Sequence, residues 1–127
     1  MFLPEFDRDY LTSKEYNFQE IESGGKKHLL ISDYKLPEGK YNVDKSDLLI
    51  ILRPGYPDIP MDMWYFNPAI LLIPNDKQPS KADQTITFNN KTWQRWSRHF
   101  PKTEWRAGSD WIHTFLKRVD KALEIAK

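Results

Sequence analysis

A chain of 127 residues is the length of one domain, enough to bury a core without help from metals or cross-links. Lys and Arg number 19 against 18 Asp and Glu, a net charge of +1 that argues against phosphate-backbone binding, so nucleic acid is not an expected partner. The absence of cysteine excludes a disulfide framework, a thiolate metal site, a redox dithiol and a cysteine nucleophile, while 14% aromatic residues supply enough burial to exclude disorder at a mean hydropathy of −0.71.

Pro4 with Phe2, Phe6 and Tyr10 at helical spacing predicts a short helix within residues 1–14, with those aromatics as its apolar stripe. From Tyr16 the period changes to two. Tyr16 to Ile21 and His28 to Lys35 read as two strands joined at Gly24-Gly25, with a break at Pro37 to Gly39. A third strand is expected at Asp47 to Leu52, stopped by Pro54-Gly55, and a fourth around Met63 to Phe66, which together make an antiparallel meander. Leu48 to Leu52 is also the longest near-apolar run, far short of the roughly 20 residues of a membrane span. Glu5, Asp7 and Asp9 leave no cationic leader, so the expectation is a cytoplasmic protein without a membrane partner.

Ala69 to Ile73 is a second apolar stretch, and Pro74 to Gln84 is polar enough to read as a surface loop. Thr85 to Phe88 predicts a short strand, Asn89-Asn90 a tight turn, and Thr92 to Phe100 an irregular aromatic stretch. The last element is the clearest. Ser109 suits an N-cap, and Ile112, Phe115, Leu116, Val119, Ala122, Leu123 and Ala126 form one stripe opposite Lys117, Lys121 and Glu124, predicting a helix over 109–125. Strands first and a long covering helix last predict an α+β domain spanning residues 1–127 without an internal boundary. Trp93, Trp96, Trp105 and Trp111 are expected to pack ring on ring in its core.

The segment from Leu48 to Trp64 carries Tyr56-Pro57 and Pro60 between two strands, with Met61 where a second proline would follow. It resembles the ubiquitin-conjugating-enzyme superfamily, whose Tyr-Pro-x-x-Pro-Pro turn joins two strands of a meander. The prolines fix φ and stop both strands, and the tyrosine packs on the core with its hydroxyl expected on a backbone group. Gly55 to Met63, Trp93 to His99, Trp105 to Asp110 and the terminal helix, in that order, are similar to prokaryotic family E of that superfamily over nearly the whole chain. The resemblance implies a ubiquitin-conjugating (UBC-like) fold, with an N-terminal helix, a four-stranded meander and a crossover helix. It also implies a bacterial modification pathway with two partners, a ubiquitin-like modifier protein and an adenylating activating enzyme, and no cofactor. The extra C-terminal helices of eukaryotic members are not expected, since the sequence ends at Lys127.

The departures from the superfamily pattern concern chemistry. There is no cysteine and no His-Pro-Asn; Ile73-Pro74-Asn75 matches only its last two residues. Counting back about eight residues from Trp105, by positional analogy with conjugating enzymes, lands on Ser97. A hydroxyl needs an adjacent base, and Ser97 and His99 would share one side of an extended segment. The expectation is an oxyester carrier in which Ser97 is the acyl acceptor and His99 its base, with Asp110 or Glu104 orienting the imidazole. Arg95 and Arg98 would hold the modifier's acidic surface or a developing oxyanion. The competing expectation is a UBC-like domain without transfer chemistry that binds the modifier or the activating enzyme. His28 and His113 lack a second ligand at metal spacing and read as structural, so no metal site is expected. Lys26-Lys27 and Lys117-Arg118 read as solvated pairs, and Asp58 and Asp62 as exposed turn residues.

Overall fold

Two pairs of residues with left-handed backbone close the hairpins at the two ends of the sheet. In the computed structural model, which describes residues 1–101 and 104–127, Gly24 and Gly25 have φ of +60° and +76°, and Asn89 and Asn90 have +51° and +61°. Two consecutive positive φ values are what a two-residue hairpin turn needs to match strand twist, and Gly and Asn adopt them at least cost. The first pair joins β1 (Asn17–Ser23) to β2 (Lys26–Lys35), and the second joins β5 (Gln84–Phe88) to β6 (Lys91–Ser97). Between them lie β3 (Lys45–Leu52) and β4 (Met63–Asn67), with α1 (Glu5–Ser13) and α2 (Ile112–Ile125) at the ends of the chain.

The sheet has six strands in the order β1-β2-β3-β4-β6-β5, and every pair is antiparallel. The α+β class agrees with the expectation, but the four-stranded meander is extended. The stretch read as irregular, Thr92 to Phe100, is β6 as far as Ser97; it docks directly on β4 in the register Trp64↔Trp96, and β5 becomes the edge. Its alternation was hidden because Trp93 and Gln94 are both buried, one on each face.

Period two assigns the faces. Leu48, Ile50, Trp64, Phe66 and Trp96 point toward α2, where they meet Ile112, Phe115, Leu116, Val119 and Leu123. Leu49, Tyr65 and Trp93 point the other way and pack with Phe88. This second face is closed by curvature. The His28 ring on β2 stacks 4.3 Å from Phe88 on β5, although three strands lie between them in the sheet. A bulge between Ile31 and Tyr34, with Asp33 at φ +55°, lets both buried side chains face the core despite their odd spacing.

The tryptophans divide between these layers. Trp64 and Trp96 stack at 6.3 Å in the main core, and Trp93 lies on the opposite face. Trp105 is buried with its indole N–H donated to Pro57 O at 2.8 Å. Trp111 is only half-buried, against an exposed Phe6 ring 5.2 Å away, so the four expected rings do not form one cluster.

Both helices differ from expectation in their details. α1 buries Leu11 and Asp7, with Leu3 just before it, while Phe6 is 52% exposed, so its inward stripe is one turn-face away from the aromatic one. α2 starts at Ile112 instead of 109; Ser109 lies in an exposed turn, and Ala126 follows the helix. The polar stretch 74–84 is mostly exposed but anchors Pro79 and Ala82 in the protein. Gln94 fastens the preceding segment by accepting from Ile70 N at 2.9 Å and donating to Ile70 O at 3.0 Å. No helix among the described residues is long and apolar enough to cross a membrane.

Candidate functional site

The Tyr56 turn is held from three sides, and those contacts shape the cleft beside it. Tyr56 donates its hydroxyl to Asp7 Oδ2 at 2.5 Å, a carboxylate on α1, where the sequence suggested a backbone acceptor. The other oxygen of Asp7 accepts the Ile112 N–H at 3.2 Å, so Asp7 also caps the first turn of α2. Burial pushes the Asp7 carboxyl above the usual carboxylate range, opposed by the Tyr56 and Ile112 hydrogen bonds and by His113. Pro57 takes the Trp105 indole from the third side. Gly55 has φ +96°, and a Cβ there would lie 2.7 Å from Ile59 Cδ1.

Between this turn, the segment after β6 and α2 lies a cleft of about 400 Å³, bounded by Asp58 to Asp62, His99, Phe100, Trp105, Arg53 and Arg118. His99 is exposed, and its Nδ1 lies 3.8 Å from Asp62 Oδ2. The backbone makes that approach possible, because Arg98 N donates to Asp62 O at 2.8 Å and ties the end of β6 to the start of β4. The guanidinium of Arg118 lies 4.3 Å from the Phe100 ring centroid and 5.3 Å from that of Trp105, so Arg118 is not the solvated cation expected from its pairing with Lys117.

The residues expected to act together have separate partners. Ser97 ends β6 opposite Met63, on the sheet face shared with Arg95 and turned away from α2; its N–H donates to Lys81 O at 3.2 Å. Among the described residues no hydrogen bond joins the Ser97 hydroxyl to His99. Asp110 accepts from Arg106 N at 2.7 Å and from Thr114 Oγ1 at 3.1 Å, and the backbone bond from Arg106 holds its carboxyl below the usual range. Glu104 is exposed in a turn where its N–H donates to Pro101 O. Arg98 lies 4.7 Å over the Trp96 ring and donates to Ser97 O at 2.7 Å; burial lowers its pKa. Arg95 faces Tyr65 in register, and its Nε is buried without a hydrogen-bond partner among the described residues. The carboxylate that the fold brings to His99 is Asp62, which the sequence had as a turn residue.

A family model described as prokaryotic E2 family E matches residues 3–126. The chain belongs to that family. No curated protein and no solved structure matches it. For a member of prokaryotic E2 family E, the Tyr56 turn acts as a fold determinant, fastened between α1 and the start of α2 by Asp7. The site that sequence reasoning missed is the cleft around Arg118 and Asp62. Its turn-side wall lies within the Gly55-to-Met63 motif, but the spacing of Phe100, Trp105 and Arg118 has no period of its own because a loop separates the rings from the helix.

Proposed function

We propose that this member of prokaryotic E2 family E works in a bacterial ubiquitin-like conjugation pathway as a binding module. It engages the modifier protein and its adenylating activating enzyme through a ubiquitin-conjugating fold, without carrying the acyl group itself. The observation that supports this reading is the dispersal of Ser97, His99 and Asp110. The serine lies on the face away from α2, the imidazole beside Asp62, and the Asp110 carboxylate on the backbone and side chain of its own turn. A serine hydroxyl is essentially un-ionised near neutral pH and acts as a nucleophile only with a base in contact, so this dispersal favours recognition over transfer.

The test is incubation of the protein with modifier, activating enzyme and ATP. Co-purification with the modifier or the activating enzyme is expected, without a covalent adduct. An adduct that resists thiol reductant, yields to hydroxylamine and disappears in Ser97→Ala would overturn the binding reading and establish an oxyester carrier. Failure to associate with either protein would remove the pathway assignment itself.

A further inference from the structure

Three cations converge at the end of the sheet where the β1–β2 turn, the N-terminal segment and the end of β3 meet. Lys26 and Lys27 open β2, Lys27 pairs in register with Leu52, and Arg53 follows Leu52 directly. With Phe2 and Tyr56 they line a second cleft, of about 290 Å³. Among the described residues no acid lines it, whereas Asp58 and Asp62 border the cleft beside His99. None of the three cations is in an ion pair among the described residues; Glu22 lies opposite Lys27 in register but beyond ion-pair distance. Glu20 is already engaged, accepting from the Phe2 and Leu3 amides and from Arg8. Those bonds hold the N-terminal segment on β1, and the Phe2 ring centroid lies 5.8 Å from the Lys27 ammonium. Arg53 donates to Pro60 O at 3.5 Å, a long bond that leaves most of its five N–H donors free.

A net charge of +1 gives the chain little general field for anions, so any affinity here is local to these side chains. Cations arriving from two segments suit an anion with acceptor oxygens pointing in several directions. A carboxylate has one charge and two coplanar oxygens and would leave at least one cation unmatched, while a phosphate monoester carries about −1.5 to −2 at pH 7. A diphosphate comes closer to three positive charges. The volume lies just under the roughly 300 Å³ at which small-ligand sites begin, which suits a compact group, and Phe2 and Tyr56 add an aromatic wall.

We propose that the cleft between the β1–β2 turn and the Pro54-Gly55 turn binds a diphosphate group, carried by free pyrophosphate or by a nucleotide. Lys27 and Arg53 are its main contacts, and Lys26 closes the side toward Gly25. Of the residues described at each, this cleft shares Arg53 alone with the one beside His99. The proposal stands independently of the pathway reading.

The experiment titrates isotope-labelled protein with pyrophosphate, adenosine diphosphate and citrate at fixed ionic strength, following the Gly25 and Gly55 amide resonances. Pyrophosphate is expected to shift both. Lys27→Met and Arg53→Met should each weaken its binding about tenfold or more, the size of one lost charge-assisted contact, while Lys117→Met on the exposed face of α2 leaves it unchanged. Retained resonance dispersion in each variant shows that the fold survives. Tighter binding of adenosine diphosphate than of pyrophosphate assigns the source to a nucleotide whose base meets the aromatic wall; equal or weaker binding assigns it to free pyrophosphate. Citrate that shifts the same resonances as strongly overturns the diphosphate assignment. A loss in Lys117→Met equal to that in Lys27→Met overturns the site, as does the absence of any shift with pyrophosphate.

Discussion

Asp7 shows how much one buried carboxylate can organise. It is fully buried on α1, yet its two oxygens serve the Tyr56 hydroxyl and the first amide of α2, joining elements that are remote in sequence. Hydrogen bonds to a charged group contribute about 1.5–3 kcal/mol each, so Asp7→Ala is expected to lower stability by about 2–4 kcal/mol in urea unfolding. Asp7→Asn separates charge from shape. Because the folded carboxyl is raised above its unfolded value of 3.8, the folded state binds the extra proton, and the contribution present at low pH is lost as pH rises through the folded value. Wild type should therefore lose stability relative to Asp7→Asn as pH rises above the unfolded value of 3.8 and through the raised folded one. Glu20 has the opposite sign. Burial opposes its ionisation, but Arg8 Nε at 2.9 Å and the Phe2 and Leu3 amides outweigh that and lower its pKa, so its contribution is lost as pH falls. A pH profile of Asp7→Asn parallel to that of wild type would show that Asp7 is not the source of the loss on raising pH.

At the scale of elements, packing outweighs local signals. α2 buries six apolar side chains; the five larger than alanine each stabilise by roughly 1.5–3 kcal/mol relative to exposure, against about 1 kcal/mol for an N-cap. The stripe therefore determined that the helix exists, while its start moved from Ser109 to Ile112, where a carboxylate from another helix supplies the cap. Turns obey stricter local rules, because backbone conformation leaves fewer choices. Gly55→Ala should cost about 1–2 kcal/mol for its φ of +96°. The nearby Ile59 Cδ1 is the end of a side chain that is 43% exposed and able to move, so adding Ile59→Ala should restore little of the loss. Full recovery in the double variant would assign the cost to the clash instead of the backbone.

For the whole molecule, curvature decides what is buried. β3 is flanked by β2 and β4 and is apolar on both faces, whereas β5 is an edge paired only with β6. Hydrogen exchange should accordingly be slowest at the amides of Leu48 to Ile50, and faster along β5 than in any internal strand. Exchange in β5 as slow as in β3 would mean that its edge is covered by something beyond this chain. Alternation along β6 turns Ser97 and Arg95 to the face opposite α2, while the backbone tie between Arg98 and Asp62 brings His99 to the cleft that Arg118 and Trp105 line.

The sequence by itself determined the α+β class, the two hairpin turns, the apolar stripe of α2 and, through the Tyr56 turn and the Trp93-to-Asp110 motifs, the family. Each is written in residues close together in the chain, where φ preference, period and motif order act directly. Tertiary structure decided the rest. Gln94 and Trp93 hid the alternation of β6 by being buried on opposite faces, and Asp7, which in the sequence is only one of three acids near the start, takes its partners from residues 56 and 112. His99 found Asp62 instead of Ser97 or Asp110, because the neighbours of a side chain after the end of a strand are set by which strand pairs there, and chain spacing carries no record of that pairing.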